Sequence, residues 1–239
     1  MAGIQLDQIQ LPVFRHLVSK GAFRQKHFDP NFVINTRQNY REKIYVILKG
    51  AIKIYHQTEN GGELIPIILS NNMIFGADCI FGEQDNHFIS ETLLKTDLLV
   101  FNVTDLQDAI AENLVYQQDL LKILNDKYTE AENRIHVLKI RNTELRFVEA
   151  LLEFNLKFGH ECEKNKNYMR IPVPLDQDSF GKYIRVTRET ICLLINDFKS
   201  KGIISYEKNK FIVAKEIIAN WQKKSNLIKR TGSKQNILV

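Results

Sequence analysis

Cysteine is scarce in this chain of 239 residues: Cys79, Cys162 and Cys192 are odd in number and far apart. They offer neither a disulfide framework nor paired metal-ligand spacing, which points to a reducing compartment. With 11 Gly and 5 Pro the chain is neither collagen-like nor of low complexity. No apolar run reaches the roughly 18 to 20 residues that a membrane span needs. The first 24 residues carry neither a signal-peptide core nor an Arg/Ser-rich transit character, so a soluble protein that stays where it is made is expected. No GxSxG, HExxH or phosphate-loop motif is present.

What is present is enough for a sizeable core, since 44% of residues are hydrophobic and 10% aromatic, which excludes a wholly disordered chain. Charge is unevenly spread. From Gly181 onward there are 13 basic and 4 acidic residues, against 20 basic and 24 acidic in the first 180. A mildly acidic body with a basic end suggests contact with nucleic acid or an anionic membrane surface, with an ordinary solvated surface as the alternative. Asn (20), Lys (22) and Ile (28) are abundant, as A/T-rich codons would make them. This composition suggests an organellar or similarly biased genome.

Between Asn31 and Phe101 short apolar runs alternate with turn residues, as in all-β barrels and sandwiches. Lys43 to Lys49 and Ala51 to His56 flank Gly50; Asn60-Gly61 signals a tight turn before Leu64 to Leu69; Ile89 to Leu93 and Asp97 to Val103 follow. The texture changes at Thr104. Leu114, Leu121, Tyr128 and Ile135 share one heptad register, and Leu124, Ala131 and Leu138 the other. A stripe this narrow over about 25 residues predicts a long helix seeking a partner helix, rather than one lying on its own sheet. Lys127 and Glu132 then stand in the g and e′ relation of a parallel pair. Asn142 to Glu144 interrupts the heptads and begins a second helix ending at Gly159; His160 to Asn167 reads as a loop, and Met169 to Val173 as a short strand.

Leu175 to Ile204 carries the chemistry. Leu175, Phe180 and Ile184, then Ile191, Leu194, Ile195 and Phe198, give two apolar helix faces separated by a break at Arg185 to Thr187, with Gly181 permitting a close crossing. That is the layout of a helix-turn-helix, and Ile203 to Glu207 with Lys210 to Val213 form a wing joined at Lys208-Asn209. Arg188 and Glu189 suit guanine and cytosine edges; Thr187 and Thr190 suit phosphates; Lys208 and Lys210, with Lys199 and Lys201, suit nonspecific backbone attraction.

Taken in order, Tyr45-x-Ile47-x-x-Gly50-x-Ile52-Lys53, Phe75-Gly76, the heptad helix, Thr187-Arg-Glu-Thr190 and Lys201-Gly-Ile-Ile204 resemble the Crp/Fnr family of transcription regulators over roughly residues 30 to 215. The resemblance implies an α+β protein. Residues 1–108 would form a cupin-like β-roll (double-stranded β-helix) sensor, 109–141 a dimerisation helix, 142–217 a winged helix-turn-helix and 218–239 a basic tail. It implies a homodimer held by Leu114, Leu121, Leu124, Tyr128, Ala131, Ile135 and Leu138, binding palindromic double-stranded DNA and partnered by RNA polymerase. Neither the acidic residue after Gly76 nor the arginine of cyclic-nucleotide receptors is present, and no N-terminal cysteine cluster could hold iron and sulfur.

Within the family the chain looks like the NtcA type of cyanobacteria and algal plastids, which implies a nitrogen-related activator gated by 2-oxoglutarate, working in a plastid stroma or a bacterial cytoplasm. Carried over by position, the effector site falls on Phe75, Gly76, Ala77, His87, Lys127 and Glu132. His87 and Lys127 stand where that type has arginines, and Asp78 adds a negative charge, so an altered effector or none remains open. Leu193 stands where many relatives have an arginine, and Arg185 where glycine is usual. No metal or resident cofactor is implied. A cupin-type enzyme is the competing class, but the six histidines form no close pairs with a carboxylate. A β-roll ligand-binding subunit without a DNA role is the other, and it predicts no basic C-terminal bias.

Overall fold

The computed structural model describes residues 9–35, 42–59, 62–81 and 88–231, and the chain divides into two compact units, 1–133 and 134–239. In the first unit helix α1 (Pro12–Ser19) precedes eight strands: β1 (Arg24–Phe28), β2 (Val33–Asn35), β3 (Lys43–Lys49), β4 (Ile52–Gln57), β5 (Glu63–Leu69), β6 (Ile74–Phe75), β7 (Ile89–Thr92) and β8 (Thr96–Asn102). Helix α2 (Val103–Glu112) and the long helix α3 (Leu114–Lys139) follow. The strands form two antiparallel sheets, ordered β1-β8-β3-β6 and β2-β7-β4-β5.

The run from Lys43 to Lys49 lacks polar alternation because both faces of β3 are covered. Tyr45 and Ile47 join Ile52, Ile54, Leu69, Phe75, Leu98 and Val100 between the sheets. Ile44 and Val46 face the other way, into a cluster with Leu99 and Phe101, Val13, Phe14 and Leu17 of α1, Leu106 and Ala109 of α2, and Ile123 of α3. Gly50 is required where β3 turns into β4: its φ is +123°, and an added Cβ would lie 2.4 Å from Thr96 Oγ1. Lys53, 5% exposed, is matched by Glu63 at 3.3 Å and Glu91 at 3.4 Å and lies 4.4 Å from the Tyr55 ring centroid. Burial, aided by the charges of Glu91 and Glu63, pushes the Tyr55 hydroxyl up to about 12. Asp119, buried on α3, accepts the Val13 backbone N–H at 2.8 Å and so satisfies a free donor at the start of α1.

The second unit begins within α3 and continues with α4 (Thr143–Phe158), β9 (His160–Cys162), β10 (Asn165–Pro172), α5 (Gln177–Ile184), α6 (Arg188–Ser200), β11 (Ile204–Glu207), β12 (Lys210–Ala214) and α7 (Lys215–Thr231). Asn142 caps α4 by accepting the Leu145 N–H at 3.0 Å. The sheet order is β11-β12-β10-β9, and the core is aromatic: Phe147 packs edge-on to Phe198 at 5.2 Å and to Phe211 at 5.7 Å, and Phe154 lies 5.6 Å from Phe180.

Several expectations change. His160 to Asn167 is not a loop; β9 pairs with β10, which contains most of the strand expected from Met169 but begins at Asn165, where exposed polar residues read as loop. The boundary at 108 would cut α2, and extended Asn113 separates α2 from α3, so the long helix starts at Leu114 rather than 109. Nor is the segment from 218 a free tail, because Ile218, Trp221 and Ser225 of α7 are buried at helical spacing. Asn60-Gly61 and His87 lie outside the described residues. No described helix is long and apolar enough to cross a membrane.

Candidate nucleic-acid interface

Asp176 starts α5 by accepting the Ser179 N–H at 2.7 Å. The helix ends at Arg185 in a left-handed conformation (φ 59°, ψ 53°), and the Val186 N–H returns to Gly181 O at 2.9 Å. Gly181 is needed for this turn rather than for a helix crossing: a Cβ there would lie 2.8 Å from Val186 O. The break takes up three residues, the last of which, Thr187, caps α6. Its hydroxyl accepts the Thr190 N–H at 3.3 Å and lies 3.1 Å from the Thr190 hydroxyl. Both threonine hydroxyls therefore already serve the helix start.

The buried face of α6 is Ile191, Leu194, Ile195 and Phe198. That fixes the helix's rotation. Thr187, Arg188, Glu189, Leu193, Asn196 and Lys199 face solvent, with Thr190 and Cys192 half-buried. Glu189's carboxyl is held below the usual carboxylate range by its own backbone N–H, and then by the Thr187 hydroxyl, so it stands ionised at the helix start. Leu193 and Asn196, which were not among the expected DNA-binding residues, lie four and seven residues from Glu189 on this exposed side. Leu193 is 69% exposed.

Beside α6, Lys208 (φ 49°) and Asn209 (φ 58°) both take left-handed angles in the two-residue turn between β11 and β12. Lys208 and Lys210 are exposed. The Tyr206 hydroxyl lies 2.9 Å from Asn209 Oδ1, and its ring packs 4.5 Å from Phe211. Gln177 bonds both Tyr206 and the Cys192 thiol, the latter at 3.1 Å, and so ties α5, α6 and the wing together. Lys201, by contrast, is paired with Asp197 at 2.7 Å.

The six positions expected to hold an effector are only partly assembled. Phe75 is buried and stacked on Tyr45 (4.6 Å, 8°); Gly76 has φ +85°, and a Cβ there would meet Lys43 O at 2.4 Å; Ala77 is buried. Ile123, one turn before half-buried Lys127, shares a cluster with Ala77. Glu132 is exposed and accepts a hydrogen bond at 2.9 Å from Tyr128, whose hydroxyl is thereby pushed up. Along α3, Leu114, Leu121, Leu124, Tyr128, Ala131 and Ile135 are exposed and Leu138 is half-buried, while the helix meets its own β-domain through the separate face of Asp119 and Ile123.

Two family models match. Residues 25–113 match a cyclic nucleotide-binding domain and residues 146–217 a Crp-like helix-turn-helix domain. The chain is 27% identical over 220 residues to a "Global nitrogen regulator" of Nostoc sp., covering 90% of this chain and 97% of that protein. It is 26% identical to the protein of the same description from Synechocystis sp. (76% and 80% covered) and 22% identical to the "Anaerobic regulatory protein" of Bacillus subtilis (72% and 71%). The solved structures of FixK2 from Bradyrhizobium japonicum (TM-score 0.70, 18% identity, covering 86% of this chain and 96% of that one) and of a CooA mutant from Carboxydothermus hydrogenoformans (0.68, 18%, 92% and 99%) share its fold.

Proposed function

The chain belongs to the Crp/Fnr family of DNA-binding transcription regulators, and from that premise we propose that it works as a homodimer on a palindromic operator, with α6 as the helix that enters the major groove. It is a regulator rather than an enzyme. The observation that carries the reading is the outward row of α6, capped by Thr187 and flanked by the exposed lysines of the wing. Arg188 presents a guanidinium to guanine O6 and N7, and the ionised Glu189 accepts from cytosine N4. The free N–H groups at the start of α6, together with Lys208 and Lys210, hold phosphates. The exposed stripe of α3 supplies the dimer contact, which sets the two recognition helices about 34 Å apart.

The nitrogen regulators among the relatives support control of nitrogen-related genes; the mode of action we infer is activation through contact with RNA polymerase. The gating effector we favour is 2-oxoglutarate, held by the Phe75 to Ala77 backbone and by Lys127. The place of work is a DNA-holding compartment, a bacterial cytoplasm or a plastid stroma. The base-reading role is tested by selecting bound DNA from a random pool and titrating Arg188→Ala on the selected operator. Loss of about 1–3 kcal/mol of discrimination at one base pair is expected. Unchanged sequence preference overturns the role given to Arg188.

A further inference from the structure

We propose that Leu193 and Asn196 read adjacent adenine–thymine pairs in each operator half-site. This rests on the DNA-binding reading of α6 and deepens it by stating which bases the outer part of the helix selects. The burial of Ile191, Leu194, Ile195 and Phe198 places Glu189, Leu193 and Asn196 in one outward row, at spacings of four and three residues. Leu193 and Asn196 are separated by about 4.5 Å along the helix axis, comparable with one base-pair step. Glu189 projects from the same side one turn earlier, and Arg188 is exposed at the start of the helix.

Chemistry selects the ligand. Leu193 is 69% exposed in a basic part of the chain, where a large apolar side chain gains nothing from water. On the major-groove edge the C5-methyl of thymine is the one apolar group. A carboxamide such as that of Asn196 matches adenine N6 and N7 in two hydrogen bonds. Between Glu189 and Phe198 the helix carries no lysine or arginine, so this part of its outward face has no side chain suited to guanine. The half-site is therefore divided: a guanine–cytosine pair at the Arg188 and Glu189 end, and adenine–thymine pairs under Leu193 and Asn196.

The experiment uses the full chain and DNA selected from a random pool. Each thymine of the selected half-site is replaced in turn by deoxyuridine, which removes only the C5-methyl, and binding is compared for wild type and Leu193→Ala. At one position wild type loses about three- to fivefold, the factor one buried methyl is worth. Leu193→Ala binds both DNAs alike. In a fresh selection Leu193→Arg exchanges that thymine–adenine pair for a guanine–cytosine pair, and Asn196→Ala loses its preference for adenine at the neighbouring step. Because both side chains are exposed, unfolding midpoints close to wild type separate these effects from misfolding. If no deoxyuridine position matters, or if Leu193→Ala and Leu193→Arg select the wild-type site, the proposal is overturned while DNA reading through Arg188 stands. If wild type selects no sequence at all, the reading of α6 itself fails.

Discussion

Arg185 takes a left-handed conformation that an ordinary side chain enters at a cost of about 1–2 kcal/mol. Its geometry is imposed from both sides, by the Val186 return to Gly181 and by the Thr187 cap. The Arg146 guanidinium is held below its ordinary value, first by burial and then by the charge of Arg185, so the residue also adds repulsion. A strained, repelled cation at the turn before a DNA-reading helix makes sense if it faces a phosphate. Arg185→Gly is therefore expected to raise the unfolding free energy by about 0.5–1 kcal/mol, the strain relieved less the extra freedom of unfolded glycine. It should also lower the salt dependence of DNA binding by about one phosphate contact. Denaturant melts and binding titrations across salt concentrations check the two parts separately. No gain in stability would mean the turn stores no strain; an unchanged salt slope would mean Arg185 touches no phosphate.

At the scale of elements, α3 has two apolar faces with different tasks. Ile123 belongs to the core beneath the first sheet, whereas Leu121 (65% exposed) and Tyr128 (63%) lie on a stripe that is left exposed among the described residues. Leu121→Asp puts a charge into the seam and is expected to leave the fold intact while converting a dimer into a species of 27.8 kDa by sedimentation equilibrium, with operator binding lost. A variant that remains dimeric would place the interface elsewhere. The heptads made α3 legible in the sequence, and the capped break at Arg185 to Thr187 did the same for α5 and α6. Other elements were hidden for physical reasons. Helix α1 is too short for its period to stand out; β1, β9 and the start of β10 are exposed and polar; and α7 buries Ile218, Trp221 and Ser225 beneath a basic, polar exterior that reads as a tail. The outward side of Leu193 and Asn196 was within reach of the sequence, since the apolar spacing of Ile191, Leu194, Ile195 and Phe198 implied the buried face that the structure shows.

For the whole molecule, if the β-domain binds an effector that gates the winged helix's hold on DNA, the two sites share a coupling free energy, and that coupling is reciprocal. If 2-oxoglutarate tightens operator binding tenfold, the operator tightens 2-oxoglutarate tenfold, about 1.4 kcal/mol either way. The proposed site offers backbone N–H groups at Phe75 to Ala77 and an ammonium at Lys127, a point charge without the two-pronged geometry of a guanidinium. Calorimetry of the wild-type chain is therefore expected to show 2-oxoglutarate binding that Lys127→Ala abolishes and Lys127→Arg strengthens by about tenfold, the order of one added charge-assisted hydrogen bond. With operator present, wild-type affinity should rise by the same factor by which the ligand raises operator affinity. Absence of heat and of any shift in operator affinity at millimolar 2-oxoglutarate would remove this ligand as the effector. Binding that survives Lys127→Ala would keep the ligand but move its carboxylate to another cation.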